Sequence, residues 1–390
     1  MKYDFVSLPE RRKQASRKWQ IMLESGDIPE GIVPFSVADM EFKMPPEIVD
    51  GLKNFLDTVI LGYSYADEAY CCALQDWMKR RHQFLVEKDW MTHTTGVVPA
   101  FFAGVSALTK SGEGVLIMPP VYPPFFMSAH LQHRTLHECP LVCSEGYYEI
   151  DFDRLETILK TKMVKVLLFC SPHNPVGRVW KKWEIEKVAE LCLRYSVFLL
   201  VDEIHHDLVL QGHTHTVLQG LSHEVAQNSI THVSLSKTFN LAGMMLSTSF
   251  IANTEVRQKF NAILDASSAH VYTPLGFKAY EIAYNHCETW LDELLTVIDA
   301  NQKLVCSMLE STPIQVHQIE GTYLLWLDCR ALGLNDTELK AFLQKKALLF
   351  LSEGHTFGKE GQGFARLNLA APRHVIESAI LRLKSALMSL

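Results

Sequence analysis

Short apolar runs alternate with longer amphipathic segments through the middle of the chain. The runs lie at residues 114–118, 164–170 and 197–201. Continuous apolar strands of this length, separated by helical patterns, are typical of a buried and mostly parallel sheet. Between residues 180 and 195, the spacing of apolar positions predicts a helix that crosses over from the second strand to the third. The pattern therefore predicts an α/β fold.

Polar and turn-forming residues follow each of these strands. They occupy residues 119–122, 171–175 and 202–205. In open α/β sheets, ligands bind beyond the carboxyl ends of the strands. We therefore expect the three clusters to converge on one pocket.

The pattern changes after Tyr284. A long amphipathic helix is followed by a strand-like segment at residues 322–328, and then by a helix, a strand and a terminal helix. This order is typical of a smaller α+β domain. We therefore predict a large domain over residues 46–284, a small C-terminal domain over residues 285–390, and an N-terminal segment, residues 1–45, that joins the small domain.

The composition is that of a folded globular protein. Of the 390 residues, 48% are hydrophobic and 21% are charged, which is ordinary for globular proteins. The net charge of -7 argues against a general affinity for nucleic acids or anionic membranes. The first residues lack the pattern of a secretory signal, and no apolar run is long enough to cross a bilayer. We therefore expect a cytoplasmic protein with neither a nucleic-acid nor a membrane partner.

The nine cysteines are scattered and form no C-x-x-C pair, which predicts reduced thiols rather than a disulfide framework. The histidine pairs at residues 205–206 and at positions 213 and 215 resemble metal ligands. Typical zinc spacings are nevertheless absent. We therefore predict no metal site.

The segment SLSKTFNLAG at residues 234–243 places one lysine, Lys237, between small hydroxyl side chains and a turn that ends in glycine. A lysine whose pKa is lowered by burial or by neighbouring charges attacks a carbonyl to form a Schiff base. Lys237 is therefore our candidate for carrying an aldehyde cofactor, with Ser234 and Ser236 beside it. The alternative is a surface lysine in a polar loop.

Other short motifs span nearly the whole chain around this segment. They are SVADMEF at 36–42, GYSY at 62–65, TGVVPA at 95–100, PPVYPPF at 119–125, PHNPVGR at 172–178, DEIH at 202–205, GTYL at 321–324 and RLNLA at 366–370. With these pieces in this order, the chain resembles the fold-type-I aminotransferase family, and more narrowly its cystathionine β-lyase branch of MalY/PatB type. The resemblance implies an aspartate-aminotransferase-like fold whose large domain binds pyridoxal 5'-phosphate.

Three residues match those that hold the cofactor ring in this family. Asp202, at a strand end, would keep the pyridine nitrogen protonated, so that the ring withdraws electrons. The resemblance implies that Asn174 donates to the phenolic oxygen and that His205 contacts the same oxygen. The alternatives are a helix-capping aspartate for Asp202 and a simple Asn-Pro turn for Asn174.

Further residues match the ring-stacking and phosphate-binding positions. Tyr122 is expected to stack on the ring and to belong to the catalytic set with Lys237 and Asp202, although a core aromatic would also suit its position. The free amides of Val97 and Val98, at the start of a helix after Gly96, are expected to bind the phosphate. The hydroxyls of Ser234 and Ser236 would add to this cradle.

The substrate and the second subunit also have candidate contacts. Arg366 matches the arginine that binds the substrate α-carboxylate, a role that suits a planar, always-charged fork. Arg373 lies nearby and could compete for this role, but the R-x-N-x-A pattern belongs to Arg366. Val37 and Ala38 are expected to form pocket walls. Tyr63 resembles the tyrosine that reaches the phosphate of the neighbouring subunit, which implies a homodimer with its sites at the interface.

The resemblance implies a carbon–sulfur β-lyase that cleaves L-cystathionine or related cysteine S-conjugates to a thiol, pyruvate and ammonia. In this reaction, the amine of Lys237 removes the α-proton. The alternative is an aminotransferase acting on an L-amino acid and a 2-oxo acid. The motifs do not separate the two cleanly because both reactions use the same residues, although His205 favours the lyase. A third hypothesis is a regulatory protein with an enzyme fold, but intact Lys237, Asp202 and Arg366 argue against loss of catalysis.

Overall fold

The computed structural model describes residues 1–161 and 163–390. Its helices are α1 (Arg17–Leu23), α2 (Pro46–Leu56), α3 (Glu68–His82), α4 (Val97–Leu108), α5 (Pro124–His130), α6 (Phe152–Thr161), α7 (Lys182–Arg194), α8 (His223–Gln227), α9 (Leu235–Thr238), α10 (Thr254–Ala266), α11 (Pro274–His286), α12 (Glu288–Leu309), α13 (Asp336–Ala341) and α14 (Arg373–Leu387). Its strands are β1 (Met91–Thr94), β2 (Gly114–Ile117), β3 (Thr135–Glu138), β4 (Val142–Ser144), β5 (Tyr147–Glu149), β6 (Val164–Cys170), β7 (Phe198–Asp202), β8 (Ser229–Val233), β9 (Ser247–Phe250), β10 (Gln315–His317), β11 (Leu324–Asp328), β12 (Ser352–Glu353) and β13 (Phe364–Asn368).

The larger sheet has seven strands in the order β1-β9-β8-β7-β6-β2-β3. Strands β8, β7, β6, β2 and β3 are parallel to one another, and the antiparallel pairs are β8 with β9 and β9 with β1. The predicted α/β fold with a mostly parallel sheet is therefore confirmed. In the register of β6 and β7, Cys170 lies opposite Asp202. The turns that follow these two strands consequently leave the sheet at the same edge.

Alternate side chains of the central strands enter two different layers, as the pleat requires. On β6, Leu167 and Phe169 pack with α7, whereas Leu168 packs on the opposite face with α4 and α10. Burying each such side chain contributes about 1.5–3 kcal/mol relative to leaving it exposed. Because both faces are covered by helices, these strands are apolar throughout, which is why the sequence runs are continuous rather than alternating.

Helix α7 is the predicted crossover between β6 and β7. It begins with a capping box in which the Glu184 carboxylate accepts a hydrogen bond of 2.7 Å from the Lys181 backbone N–H. Its buried face carries Ile185 and Val188, whose spacing of three residues places them on one side of a helix. The crossover returns the chain to the sheet beside β6.

A smaller antiparallel sheet, in the order β10-β11-β13-β12, lies against α12 and α14. The N-terminal segment adds to it: the backbone N–H of Phe35 donates to Phe350 O, and that of Asn368 donates to Phe35 O. The N–H of Glu41 donates to Ala370 O. These bonds bring residues 35–41 beside the end of β13. The division into residues 1–45, 46–284 and 285–390 stays a prediction.

All nine cysteines are free, and seven of them are at least partly buried. Cys72 and Cys143 are the exposed ones. Within residues 1–161 and 163–390, no helix has the length and apolar character needed to span a membrane.

Candidate active site

A cavity of about 420 Å³ lies beyond the carboxyl ends of β6 and β7, between the two sheets. Its lining contains every predicted site residue except Tyr63: Val37, Ala38, Val97, Val98, Tyr122, Asn174, Asp202, His205, Ser234, Ser236, Lys237 and Arg366. The expected convergence of the strand-end clusters on one pocket is therefore observed. The volume lies in the range of pockets that bind small molecules.

Lys237 lies in the short helix α9, which follows β8. Its side chain is half-buried at the cavity wall, and Nζ donates a hydrogen bond of 2.8 Å to Ala38 O. Desolvation by the surrounding protein is the largest cause that lowers the pKa of Lys237, to about 8, and the charges of Arg366 and Lys18 act in the same direction. The charges of Asp39 and Asp202 oppose this shift. A larger fraction of the amine is thus neutral and nucleophilic near neutral pH than in an ordinary lysine.

The two serines beside Lys237 differ in what their hydroxyls do. Ser234 Oγ donates to Leu246 O over 2.8 Å and accepts the backbone N–H of Ser236, so Ser234 caps α9. The single hydroxyl proton of Ser234 is therefore already in use within the fold. Ser236 Oγ lines the cavity and forms no hydrogen bond within the described part of the chain. Ser236 is the better placed of the two to donate to a phosphate.

The first turn of α4 offers free backbone donors to the cavity. Gly96 is the N-cap residue and provides no capping side chain, and the amides of Val97 and Val98 have no partner among the described residues. Unpaired N–H groups at the start of a helix, together with the helix dipole, favour an anion. The turn is otherwise apolar, with no acidic side chain to occupy these donors.

Asp202 ends β7 and is buried at the cavity wall. One of its oxygens, Oδ1, accepts the backbone N–H of Ile204 over 3.0 Å, a bond that a turn aspartate would also make. Burial is the largest cause that raises the pKa of Asp202, to about 7, while this hydrogen bond and the charge of Lys237 lower it. Because the Asp202 carboxylate is desolvated, a cation placed beside it would stabilise its ionised form.

Arg366 is a buried cation without a carboxylate partner in the described residues. Its Nη1 donates to Asn174 Oδ1 over 2.8 Å, and its Nη2 donates to Ser36 O and Ser352 Oγ. Its Nε is buried and has no hydrogen-bond partner. Burial lowers the pKa of Arg366 to about 10. Arg373 is exposed at the start of α14 and lies outside the cavity lining, so Arg366 is the arginine that an anionic ligand in the cavity would meet.

Two rings complete the cavity wall near these charges. His205 is buried, its Nδ1 has no hydrogen-bond partner, and its ring meets that of Tyr323 edge-on with centroids 6.2 Å apart. Burial lowers the pKa of His205 well below its ordinary value, so the ring is neutral. Burial is the largest cause that raises the pKa of Tyr122, whereas the charges of Arg366 and Arg17 lower it. Tyr323 Oη donates to Ala38 O, the carbonyl that also accepts from Lys237.

Five lining residues come from elements far from the motifs found in the sequence. These are Arg17 and Ile21 from α1, and Ser352, Thr356 and Phe357 from β12 and the segment after it. The Arg366 guanidinium lies 4.9 Å from the centroid of the Phe357 ring. None of the five belongs to a local motif, because each is brought to the cavity from an element distant in sequence.

Tyr63 lies away from the cavity of its own chain. It is 90% exposed in the stretch between α2 and α3, and its ring meets that of Tyr272 edge-on with centroids 5.2 Å apart. Any contact of Tyr63 with a cofactor would therefore involve the site of another subunit. This role stays a prediction.

Behind α9, a cluster of His82, His206 and Asp207 brings together side chains that can bind metals. Asp207 Oδ1 accepts hydrogen bonds from Trp77 Nε1 over 2.9 Å and from His82 Nε2 over 2.7 Å, whereas Oδ2 accepts from Thr238 Oγ1. These bonds satisfy both oxygens of the buried Asp207 carboxylate. They also connect α3 to Thr238, the residue after Lys237. The absence of a metal site stays a prediction.

Comparison with known proteins agrees with this geometry. The family model described as aminotransferase class I and II matches residues 30–383. Cystathionine beta-lyase PatB of Bacillus subtilis (strain 168) is 37% identical over 386 residues, which cover 98% of this chain and 100% of the relative. The crystal structure of cystalysin from Treponema denticola, which contains pyridoxal 5'-phosphate, is 46% identical with a TM-score of 0.98 and full coverage of both chains. The pyridoxal-phosphate-bound C-S lyase of Staphylococcus hominis is 28% identical with a TM-score of 0.92, covering 99% of this chain and 98% of that one.

Proposed function

Because the chain belongs to the aminotransferase class I and II family, we propose that it is a pyridoxal-phosphate-dependent carbon–sulfur β-lyase. It cleaves the Cβ–S bond of L-cystathionine or another cysteine S-conjugate and, with one water, yields a thiol, pyruvate and ammonia. The observation that carries the proposal is one cavity that contains an amine of lowered pKa, Lys237, and a buried guanidinium, Arg366, that has no carboxylate partner among the described residues. The names of the PatB and Staphylococcus hominis relatives support a lyase.

The unpaired donors of the cavity fit pyridoxal phosphate. The amides of Val97 and Val98 and the hydroxyl of Ser236 would hold the phosphate. The remaining contacts follow from the side chains of the cavity wall: Asp202 would pair with the pyridine nitrogen, Asn174 Nδ2 and His205 would face the phenolic oxygen, and Tyr122 would stack on the ring. Asn174 Oδ1 is occupied by Arg366, which leaves the amide nitrogen of Asn174 free to donate.

When bound, pyridoxal phosphate supplies an electron sink for the electron pair released at the substrate Cα. Arg366 binds the α-carboxylate and so fixes the orientation of the Cα–H bond. The neutral amine of Lys237 takes the α-proton and can pass it to the departing sulfur. Asp202, as an anion, stabilises positive charge placed against it in the cavity.

Turnover of L-cystathionine without any oxo acid tests this function. Sustained release of pyruvate and free thiol by the holoenzyme is the expected result, and Lys237→Ala serves as the inactive control. Product that forms only after an oxo acid is added would overturn the lyase in favour of an aminotransferase.

We also propose a cytoplasmic homodimer in which Tyr63 contacts the phosphate held by the partner subunit. The exposure of Tyr63 outside its own cavity supports this arrangement. The nine free cysteines agree with a reducing compartment. Sedimentation of the holoenzyme at twice the mass of the chain is the expected result. A monomeric active enzyme would contradict the proposal, and cell fractionation tests the location.

A further inference from the structure

Arg17 and Ile21 form a wall of the cavity that the proposed reaction does not use. They lie four residues apart on α1, so they share one face of this helix. Both line the cavity, and Ile21 is 47% exposed. The wall thus presents a charged group and an apolar group side by side to whatever enters the cavity.

The guanidinium of Arg17 is exposed and forms no hydrogen bond or ion pair with the described residues. The neighbouring cation Lys18 is buried and lies 3.0 Å from Glu41 and 3.4 Å from Asp39. Arg11 is paired with the same two carboxylates. A positive charge in the first turn of a helix also opposes the helix dipole. The position of Arg17 is therefore explained neither by a local ion pair nor by helix stability.

Two guanidinium groups line the cavity, those of Arg17 and Arg366. Arg366 is buried, whereas Arg17 is exposed. The charges of both groups act on the phenol of Tyr122: they lower its pKa against burial, the largest cause, which raises it. Among the described lining residues, Asp202 is the acidic one and Lys237 the remaining amine. A ligand that carries two carboxylates would find a cation for each of them.

We propose that Arg17 forms a subsite for a carboxylate at the far end of the S-substituent, with Ile21 contacting the methylene groups that lead to it. The inference rests on the proposed lyase function and names its substrate class: cysteine S-conjugates whose S-substituent ends in a carboxylate. L-cystathionine belongs to this class, and S-alkyl cysteines without a second charge do not.

Three conjugates of equal length test the subsite: S-carboxyethyl-, S-carbamoylethyl- and S-aminopropyl-L-cysteine, whose ends are anionic, neutral and cationic. With the holoenzyme, we expect kcat/KM to fall in this order by about fivefold per step, as for one partly exposed charge pair. In Arg17→Met the three values converge, and in Arg17→Glu the order reverses. Lys13→Met, an exposed cation outside the cavity lining, keeps the original order. Added salt compresses the order, because exposed charges are screened.

The same order is expected for the dissociation constants of the three conjugates, measured from the change that each causes in the absorption of the bound cofactor. An Arg17→Met enzyme that keeps the wild-type order in both measurements overturns the inference. An equal loss for all three conjugates, together with weaker binding of pyridoxal phosphate, also overturns it and assigns Arg17 to the cofactor phosphate. The proposed function fails separately, if the wild-type enzyme binds the conjugates but releases pyruvate from none of them.

Discussion

At the scale of single residues, the reactivity of the site depends on desolvation. Lys237 is an ordinary lysine in sequence, and its pKa is lowered because the protein around it removes water and places Arg366 and Lys18 nearby. The same loss of water raises the pKa of Asp202. The two shifts have opposite directions because burial disfavours the charged form of each group.

The pH dependence of cofactor attachment follows from the pKa of Lys237. Only the neutral amine attacks the aldehyde, so the rate at which the cofactor-free enzyme binds pyridoxal phosphate covalently should rise with pH and level off above about 8, the pKa of Lys237. The measurement is stopped-flow absorbance across a pH series. A rate that keeps rising toward the ordinary lysine pKa of about 10.4 would contradict the shift. Lys237→Ala should form no borohydride-reducible link.

Arg366 is expected to contribute to substrate binding through its planar fork. In Arg366→Lys, a single ammonium replaces paired, charge-assisted hydrogen bonds to the α-carboxylate. We expect kcat/KM for L-cystathionine to fall about 100-fold, equivalent to about 3 kcal/mol. Steady-state kinetics provide the measurement, with Arg373→Lys as the matched control outside the cavity. Equal effects of both substitutions would refute the assignment.

At the scale of elements, the helix that carries Lys237 is too short to be stable alone. It is fixed from two sides: Ser234 caps it, and Asp207 accepts a hydrogen bond of 2.9 Å from Thr238. Because Asp207 also accepts from Trp77, the position of α9 depends on α3. The packing of α3 therefore helps to hold Lys237 in place on α9.

Asp207→Ala should destabilise the protein strongly. It leaves buried donors of Trp77 and Thr238 unpaired, and removing one member of a buried charged network reduces stability by about 3–5 kcal/mol. Urea unfolding monitored by circular dichroism gives the change in the free energy of unfolding. Asp50→Ala, which removes an exposed carboxylate paired with Lys53, is the control, with an expected change below about 1 kcal/mol. Similar losses in both variants would show that the network adds no stability.

At the scale of the whole molecule, the site is formed where two sheets meet. The large sheet contributes Asp202 and Asn174 from its carboxyl edge, and the small sheet contributes Arg366 from β13. The hydrogen bond between Asn174 and Arg366 joins the two. One hydrogen bond therefore connects the residue proposed to contact the cofactor ring with the residue proposed to bind the substrate.

Hybrid dimers test whether a second subunit completes the site. A dimer of one Tyr63→Ala chain and one Lys237→Ala chain contains one intact site if Tyr63 acts across the interface. We therefore expect about half of the wild-type activity from doubly tagged, purified hybrids, with low activity in both parent dimers. Hybrids that are no more active than the Tyr63→Ala parent would place Tyr63 in its own chain's site.

Local patterns in the sequence were enough to predict three strands of the large sheet and the crossover helix, and to single out Lys237 as the candidate for cofactor attachment. These features depend on local periodicity and on residues close to a strand in the chain. Folding brings Arg366, and not Arg373, to the cavity, in agreement with the preference that the R-x-N-x-A pattern gave. The structure also decided that the Ser234 hydroxyl is already occupied and that Arg17 lines the cavity. Desolvation, hydrogen-bond partners and charge separation depend on distances between segments far apart in the chain. Such distances are set only when the chain folds, so local sequence patterns do not reveal them.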